Sequence, residues 1–214
     1  MKCVAVSDIH LRDIKTPEAD LLIVAGDISM KGRASELEWF ESWLNAQPQK
    51  HKVWIAGNHE MGIEEDPSLA EKLALRSKSI YLQDSGIELE GLSIWGSPIT
   101  PYFFDWAFNR HRGQDIRKHW LQIPEGTDIL ITHGPPLGYL DLTGKGEHVG
   151  CADLLDVIEN HLSYPPQVMV FGHIHSGYGQ CEYKRADGKI IKLINASSCD
   201  EKYTPTNKPI VFEI

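Results

Sequence analysis

Residues 168–175, with the sequence VMVFGHIH, show the pattern from which the architecture of this 214-residue chain follows. A short apolar run that includes β-branched residues ends at glycine, and two imidazole side chains come directly after it. Short apolar runs bounded by glycine are typical of strands buried on both faces of a sheet. His173 and His175 are two residues apart, so in an extended chain they point to the same side.

Four further segments repeat this unit without a fixed period. Each is a short apolar run that ends near a small residue and is followed by Asp, Asn or His. These runs lead into SDIH (7–10), GD (26–27), GNHE (57–60) and THG (132–134). Open α/β sheets place their sites at the carboxyl ends of strands, so we expect these polar tips to meet.

Helical and antiparallel segments separate the five runs. We predict helices at residues 35–45, 69–78, 115–121 and 152–161. Ser35 and Glu38 form a capping-box pattern at the start of the first helix. Glu-Gly at 90–91 and Asp-Gly at 187–188 indicate hairpins. We therefore predict the α/β class, as a two-sheet β-sandwich flanked by helices, in one domain that covers residues 1–214.

Composition and charge disfavour several classes of function. The formal net charge is −9 at pH 7, which opposes binding to nucleic-acid polymers and to anionic membranes. No apolar run approaches the roughly 20 residues of a membrane span. The four cysteines form no CxxC pair, which is typical of reduced thiols. An apolar run follows Met1-Lys2-Cys3 directly, so we expect no signal peptide and a cytoplasmic protein. The sequence does not decide the oligomeric state.

Nitrogen and oxygen donors stand at the ends of all five runs. One such motif alone is more often structural, but five together favour a metal site. The set exceeds what one ion takes from side chains, whereas two ions that share a carboxylate fit it. The expected ligands are Asp8, His10, Asp27, Asn58, His133, His173 and His175.

The charge of this donor set indicates the kind of substrate. Only Asp8 and Asp27 are anionic, so two divalent ions would leave a locally positive pocket in an acidic protein. Such a pocket suits a small phosphate ester such as a nucleotide rather than a long polyanion. A donor set with four histidines and no cysteine favours Mn, Fe or Zn over Ca or Mg alone, with Mn as our first choice.

The order of these blocks resembles the calcineurin-like metallophosphoesterases. The stretches AGDISMKG, AGNHE, THGPPLGYLD and FGHIHSGYG are similar to the branch of that family named for its metallophosphoesterase domain. The resemblance implies a four-layer αββα fold and phosphoester hydrolysis by a hydroxide between two metals, with His59 as catalytic proton donor or charge stabiliser. It implies that one ion is held by Asp8, His10, Asp27 and His175, and the other by Asp27, Asn58, His133 and His173.

One stretch departs from the protein phosphatases that this pattern resembles. Those enzymes carry Asp-Arg-Gly where this chain has Met30-Lys31-Gly32, so the Asp that pairs with the histidine at position 59 is absent. No two-arginine phosphate clamp is visible either. We therefore expect a phosphodiesterase, with cyclic nucleotides as the favoured substrates. A phosphomonoesterase or protein phosphatase is the alternative, and a non-catalytic nucleotide sensor is a third possibility.

An aromatic segment at residues 101–106 is a candidate substrate surface. Its rings can stack on a nucleobase, or they can pack onto the core. Packing onto the core is expected in particular of Trp106 and of Phe108, two residues further on. Asn195 is expected to hold a loop near the site. The expected substrate contacts are Asn58, His59, Tyr102 and Arg112.

Overall fold

The computed structural model describes all 214 residues and contains thirteen strands and five α-helices. The strands are β1 (Lys2–Val6), β2 (Leu21–Ala25), β3 (His51–Ile55), β4 (Ile80–Tyr81), β5 (Ser85–Leu89), β6 (Leu92–Ser97), β7 (Thr100–Pro101), β8 (Asn109–Arg110), β9 (Ile129–Thr132), β10 (Val168–Phe171), β11 (Gly179–Lys184), β12 (Ile190–Asn195) and β13 (Ile210–Glu213). The helices are α1 (Ala34–Ala46), α2 (Met61–Glu65), α3 (Ser68–Ser77), α4 (Gln114–Trp120) and α5 (Ala152–Asn160).

Most of the strands form two mixed sheets. The first sheet has the order β13-β1-β2-β3-β4, and the second has the order β11-β12-β10-β9-β6-β5. Within each sheet the inner strands are parallel, and antiparallel strands close the edges at β13, β11 and β5. The hairpins predicted at residues 90–91 and 187–188 are confirmed, because they join β5 to β6 and β11 to β12.

The two sheets face each other across an apolar layer, as the alternation along β2 shows. Leu21, Ile23 and Ala25 belong to the cluster between the sheets, whereas Leu22 and Val24 join the cluster beneath the helices. Gly96 marks a point of close approach, since a Cβ there would lie 2.8 Å from Ile55 Cγ2 of the facing sheet. The predicted two-sheet α/β sandwich with outer helices is confirmed.

Helices cover the outer faces of both sheets. On the first sheet, Phe40 of α1 packs edge-on against Trp54 of β3, with ring centroids 5.2 Å apart. The predicted capping box is wrong, because α1 begins at Ala34 and its acceptor is Glu36. The Glu36 carboxylate accepts from the backbone nitrogens of Lys31 and Arg33, which precede the helix. No helix combines the length and the apolarity needed to cross a membrane.

Five parallel strands bring their carboxyl ends to the same edge of the sandwich. In the first sheet these are β1, β2 and β3, and in the second they are β9 and β10. An isolated bridge between Ser7 and Ser197 joins the two sheets at this edge. The loops that follow these five strands therefore meet in space, although they are far apart along the chain.

Candidate metal centre and active-site cleft

The polar tips of the five strands converge into one cluster, and each strand end contributes at least one donor. The cluster forms three overlapping groups in which the ligand atoms lie within 4.8 Å of one another. These groups are Asp8/His10/His175, His10/Asp27/His59 and Asp27/His133/His173. Asn58 joins the third group, because its Oδ1 lies 2.9 Å from His133 Nε2. All seven residues predicted as ligands therefore lie together, with Asp27 in two of the three groups.

The backbone at this cluster is strained in a way that aims side chains inward. Asp8, His10, Asp27 and His173 all have positive φ angles, between 42° and 67°. Non-glycine residues rarely adopt this conformation, and it persists only where the surroundings enforce it. Here each of the four residues follows a buried strand within a few positions and turns sharply out of it. Such strain is concentrated at functional sites.

Backbone carbonyl groups orient the histidine rings of the cluster. The Nδ1 atom of His10 donates to Ser29 O, that of His133 to Ala25 O, and that of His175 to Asp200 O, at 3.2, 2.9 and 2.8 Å. Because Nδ1 carries the proton, Nε2 of each neutral ring presents its lone pair to the centre of the cluster. Metal-binding histidines are typically held in this way.

The carboxylates at the centre are also fixed. Asp8 Oδ2 accepts from the backbone nitrogen of His173 at 3.0 Å and from Ser197 Oγ at 2.8 Å. Asp27 Oδ1 accepts from the backbone nitrogen of His59 at 2.9 Å. These bonds connect residues separated by more than 30 positions, and they hold both acids in place.

Glu60 is a buried part of this site to which sequence reasoning assigned no role. Its carboxylate accepts from the backbone nitrogens of Asp27, Ser29 and Gly57 and from the Ser29 hydroxyl, at 2.6–3.0 Å. It therefore ties the loop after β2 to the loop after β3. Burial and the nearby Asp27 charge raise the pKa of Glu60 to about 7. The sequence signal for this role was the acidic residue that ends the GNHE motif.

The donor set fits divalent cations on evidence internal to the fold. His10 Nε2 is buried and has no hydrogen-bond partner. Nε2 of His133 faces the Asn58 carbonyl oxygen although its Nδ1 already holds a proton, so two acceptors converge on one point. Acceptors that converge in a buried site require a shared cation or a shared proton. The chemistry of the cluster thus matches metal binding.

Ionisation within the cluster supports the same conclusion. Burial alone would raise the pKa of Asp27, but the charges of His133 and His59 outweigh it and hold the pKa well below its usual value. Burial alone would lower the pKa of His133, but Asp27 and Asp8 raise it to about 9. Asp27 is therefore anionic, and protons on the neighbouring imidazoles compensate its charge. Divalent ions can replace those protons.

His59 lies beside the cluster with an orienting partner that the sequence analysis did not expect. Its Nδ1 atom donates to the Met30 carbonyl oxygen at 2.9 Å, and its Nε2 lies 3.9 Å from Asp27 Oδ2. The missing Asp of the phosphatase pattern is thus replaced by a main-chain acceptor from the same stretch. The absence of that Asp therefore does not leave His59 without an orienting partner, because a backbone carbonyl takes the role and leaves no trace in the residue pattern.

A cleft of about 520 Å³ opens above the cluster. Its floor includes Asp27, Asn58 and His59, and aromatic side chains form part of its walls. The aromatic wall residues are Tyr102, Phe103, Trp106 and Tyr203. Tyr102 and Phe103 are 49% and 59% exposed, so both remain accessible to a bound molecule.

Two expectations about aromatic packing have opposite outcomes. Phe108 is 1% exposed and belongs to the core, as predicted. The expectation for Trp106 is wrong, because its ring lies against His59 with centroids 4.2 Å apart and lines the cleft. Residues 101–106 run along the cleft, and the spacing of their aromatic residues does not reveal this path.

The expected substrate contacts all line the same cleft, and the polar groups of Tyr102 and Arg112 are already bonded to the protein there. The Tyr102 hydroxyl donates to Asp105 Oδ1 at 2.6 Å. The Arg112 guanidinium donates from its two terminal nitrogens to the carbonyl oxygens of Gly150 and Val149, each at 2.8 Å. Arg112 thus holds the loop before α5 while it lines the cleft.

Comparisons with known proteins agree with this site. A family model described as calcineurin-like phosphoesterase matches residues 1–177. The chain is 41% identical over 235 residues to metallophosphoesterase domain-containing protein 1 of Homo sapiens, across 99% of this chain and 70% of that protein. A protein of Nostoc sp. named 3',5'-cyclic-nucleotide phosphodiesterase is 26% identical over 192 residues, across 86% of this chain and 64% of its own length. A solved structure with 15% identity superposes with a TM-score of 0.67, covering 99% of this chain and 98% of its own.

The two-sheet fold is that of a metallophosphoesterase, and the chain belongs to the calcineurin-like phosphoesterase family. Membership supports hydrolysis of phosphoesters as the reaction and divalent metal ions as the cofactors.

Proposed function

We propose that this protein is a dinuclear-metal phosphodiesterase that hydrolyses small phosphodiesters, with cyclic nucleotides as the favoured substrates. The observation that carries the proposal is the convergence of the donors around Asp27 in a cleft lined by no lysine and by one arginine. A phosphodiester has a single negative charge, so it requires less cationic clamping than a phosphomonoester dianion. The scarcity of basic side chains therefore supports a diester.

Two ions that share Asp27 account for the arrangement of ligands. Asp8, His10, Asp27 and His175 would hold one ion, and Asp27, Asn58, His133 and His173 the other. When bound, such a pair acts as a Lewis acid that polarises the phosphoryl group and activates water. Manganese is the first candidate, with iron and zinc as alternatives, since the donors are imidazole nitrogens and oxygens without thiolate.

His59 is in a position to manage the proton of the leaving group. The Met30 carbonyl fixes the Nδ1 proton, and the packed Trp106 ring limits rotation of the imidazole. Nε2 then faces Asp27 and the cleft. When His59 is protonated, Nε2 can donate that proton to the leaving oxygen of the ester.

Two observations favour nucleotides among the possible diesters. The Nostoc relative is named a cyclic-nucleotide phosphodiesterase, and the cleft of this chain has exposed aromatic rings at its rim. Stacking of a base on an aromatic side chain contributes about 1–3 kcal/mol. The net charge of −9 supports a small ester rather than a nucleic-acid polymer or a membrane as partner, and a cytoplasmic location belongs to the same proposal.

Turnover of two chromogenic esters, combined with metal analysis, tests this proposal. With Mn²⁺ added, we expect the protein to hydrolyse bis-p-nitrophenyl phosphate faster than p-nitrophenyl phosphate, and a chelator to stop both reactions. Asp27→Asn should abolish turnover and lower the metal content, because Asp27 lies in two of the three donor groups. Asp66→Asn is the matched control, since Asp66 is exposed and its side chain hydrogen-bonds only to Ser68 at the start of α3.

The alternatives have distinct outcomes in the same assays. Faster hydrolysis of the monoester would identify a phosphomonoesterase. Tight metal binding without turnover of either ester would identify a non-catalytic sensor, and a co-purified nucleotide would then be sought. Full activity of Asp27→Asn would contradict the dinuclear site itself.

A further inference from the structure

Tyr203 occupies the cleft although no motif marks it and it lies far from the metal blocks in sequence. Its ring packs edge-on over His10 with centroids 4.6 Å apart, and it lies 5.8 Å from His175 and 6.0 Å from His59. The ring is thus adjacent to two of the four expected ligands of one ion, His10 and His175, and to the proposed proton donor. Tyr203 borders the reacting centre rather than the rim.

Hydrogen bonds of the surrounding loop hold Tyr203 in an unfavourable backbone conformation. Tyr203 has φ = 59°, which is rare for a bulky residue. The Asp200 side chain accepts from the backbone nitrogens of Lys202 and Thr204, and Asp200 and Thr204 pair again through the main chain. Arg12 Nε donates to the Tyr203 carbonyl oxygen at 3.1 Å. The loop is therefore fixed from several sides, and strain that is maintained in this way points to a function of the side chain.

The Tyr203 hydroxyl is free to bind a ligand. It makes no hydrogen bond within the protein, although it lines the cleft. A phenolic hydroxyl can donate one hydrogen bond, so a ligand in the cleft can accept it.

Other polar side chains of the cleft wall are already engaged. Tyr102 donates to an aspartate, Ser176 donates to the Leu142 carbonyl, and both terminal nitrogens of Arg112 donate to main-chain carbonyls. Tyr203 therefore offers a hydroxyl donor that is not committed to the protein, close to the metal cluster.

We propose that the Tyr203 hydroxyl donates a hydrogen bond to a non-bridging phosphoryl oxygen of the bound ester. A neutral donor in this position stabilises a singly charged phosphoryl group without the arginine clamp that the cleft lacks. Tyr203 is thus a substrate-binding residue. The inference deepens the proposed function and rests on it only in that a phosphate group must occupy the cleft.

Binding of inorganic phosphate to the manganese-loaded protein tests this contact without turnover. Isothermal titration calorimetry would compare the wild type with Tyr203→Phe, which keeps the ring and removes the hydroxyl. We expect phosphate to bind about 10-fold more weakly to Tyr203→Phe, as for loss of one hydrogen bond to a charged group. The metal content and the melting temperature should stay at wild-type values, because the hydroxyl has no protein partner.

Tyr81→Phe is the matched control. It deletes a hydroxyl that donates to Gln83 Oε1 outside the cleft, so phosphate binding should not change. Equal phosphate affinity of Tyr203→Phe and wild type would overturn the inference, as would loss of metal from Tyr203→Phe or absence of phosphate binding by the wild type. A wild type that binds phosphate but hydrolyses no diester would contradict the proposed function alone, and the calorimetric comparison would still decide the role of Tyr203.

Discussion

Replacement of Gly57 by alanine would test how closely the metal cluster is packed. A Cβ atom at Gly57 would lie 2.6 Å from the Asp27 backbone nitrogen and 2.7 Å from His133 Cε1, and it would also meet Asp27 Oδ1. Ordinary contacts begin at 3.4 Å, so the Asp27 nitrogen and His133 Cε1 must move away by about 0.7–0.8 Å, and Asp27 Oδ1 by more. The Asp27 nitrogen has little freedom to move, because it donates to the buried Glu60 carboxylate. The backbone of Gly57 itself accepts alanine, since its φ angle is not positive.

The size of the expected effect follows from this displacement. Asp27 and His133 belong to one donor group, so the clash alters the separation of atoms that must bind the same ion. Misplacement near 1 Å costs about 10²-fold in rate, and overpacking of a core costs about 1–3 kcal/mol of stability. For a chain of this length such a loss lowers the melting temperature by about 2–12 °C. We therefore expect Gly57→Ala to lose about 10²-fold in kcat/KM for bis-p-nitrophenyl phosphate and to bind less metal than the wild type.

Gly134→Ala is the matched control, because Gly134 follows a predicted ligand just as Gly57 precedes one. A Cβ at Gly134 would have Thr100 Cγ2 as its nearest neighbour, at an ordinary 3.6 Å. Metal content, kcat/KM and thermal unfolding would be measured for both variants and the wild type. Wild-type metal content and turnover in Gly57→Ala would refute the steric argument. Equal damage from Gly134→Ala would show that any added methyl disturbs this region, whatever its contacts.

Three further outcomes are expected. His59→Ala should keep the metal content of the wild type and lower kcat by about 10²–10⁴-fold, because His59 is assigned to proton transfer; metal analysis showing loss of an ion would make it a ligand instead. Removal of metal by a chelator should lower the melting temperature measured by calorimetry, since an ion present at about 100 times its Kd stabilises the fold by about 2.7 kcal/mol. An unchanged melting temperature would contradict metal binding to the folded state. Asn195→Ala should destabilise the protein by about 2–4 kcal/mol in denaturant unfolding, because the buried Asn195 amide donates to the carbonyl oxygens of Leu140 and Ile174; a change below about 0.5 kcal/mol would show that these carbonyls find other partners.

The positions of the predicted ligands followed from local sequence features. Each lies just after a short apolar run, and such runs form strands in both sheets of the structure. Parallel strands end at the same edge, so residues far apart in sequence meet once the strands pair. Asn195 was also expected near the site, and its contacts with Ile174 and Leu140 place it there. The pattern of apolar runs with polar ends was sufficient to predict that these residues lie together, because strand formation and strand direction depend mainly on hydrophobicity and on turn residues.

Other features of the site depend on contacts that have no local signature in the sequence. His59 is oriented by the Met30 carbonyl, and any residue type at position 30 offers that group. Glu60 acts through main-chain donors on two separate loops. Trp106 is one of several adjacent aromatic residues, and only the path of its segment brings it to His59.

The sequence by itself therefore determined that the donor blocks follow buried strands, the chemical nature of the donors and the class of reaction they suit. Hydrophobic periodicity and side-chain chemistry are local properties, so they can be recognised in a single chain. The tertiary structure alone decided that Tyr203 lies over His10, some 190 positions away, and that the arginine near the cleft is bound to backbone carbonyls. Contacts of this kind depend on how loops pack after the sheets have formed, and loop packing is not encoded in any one segment.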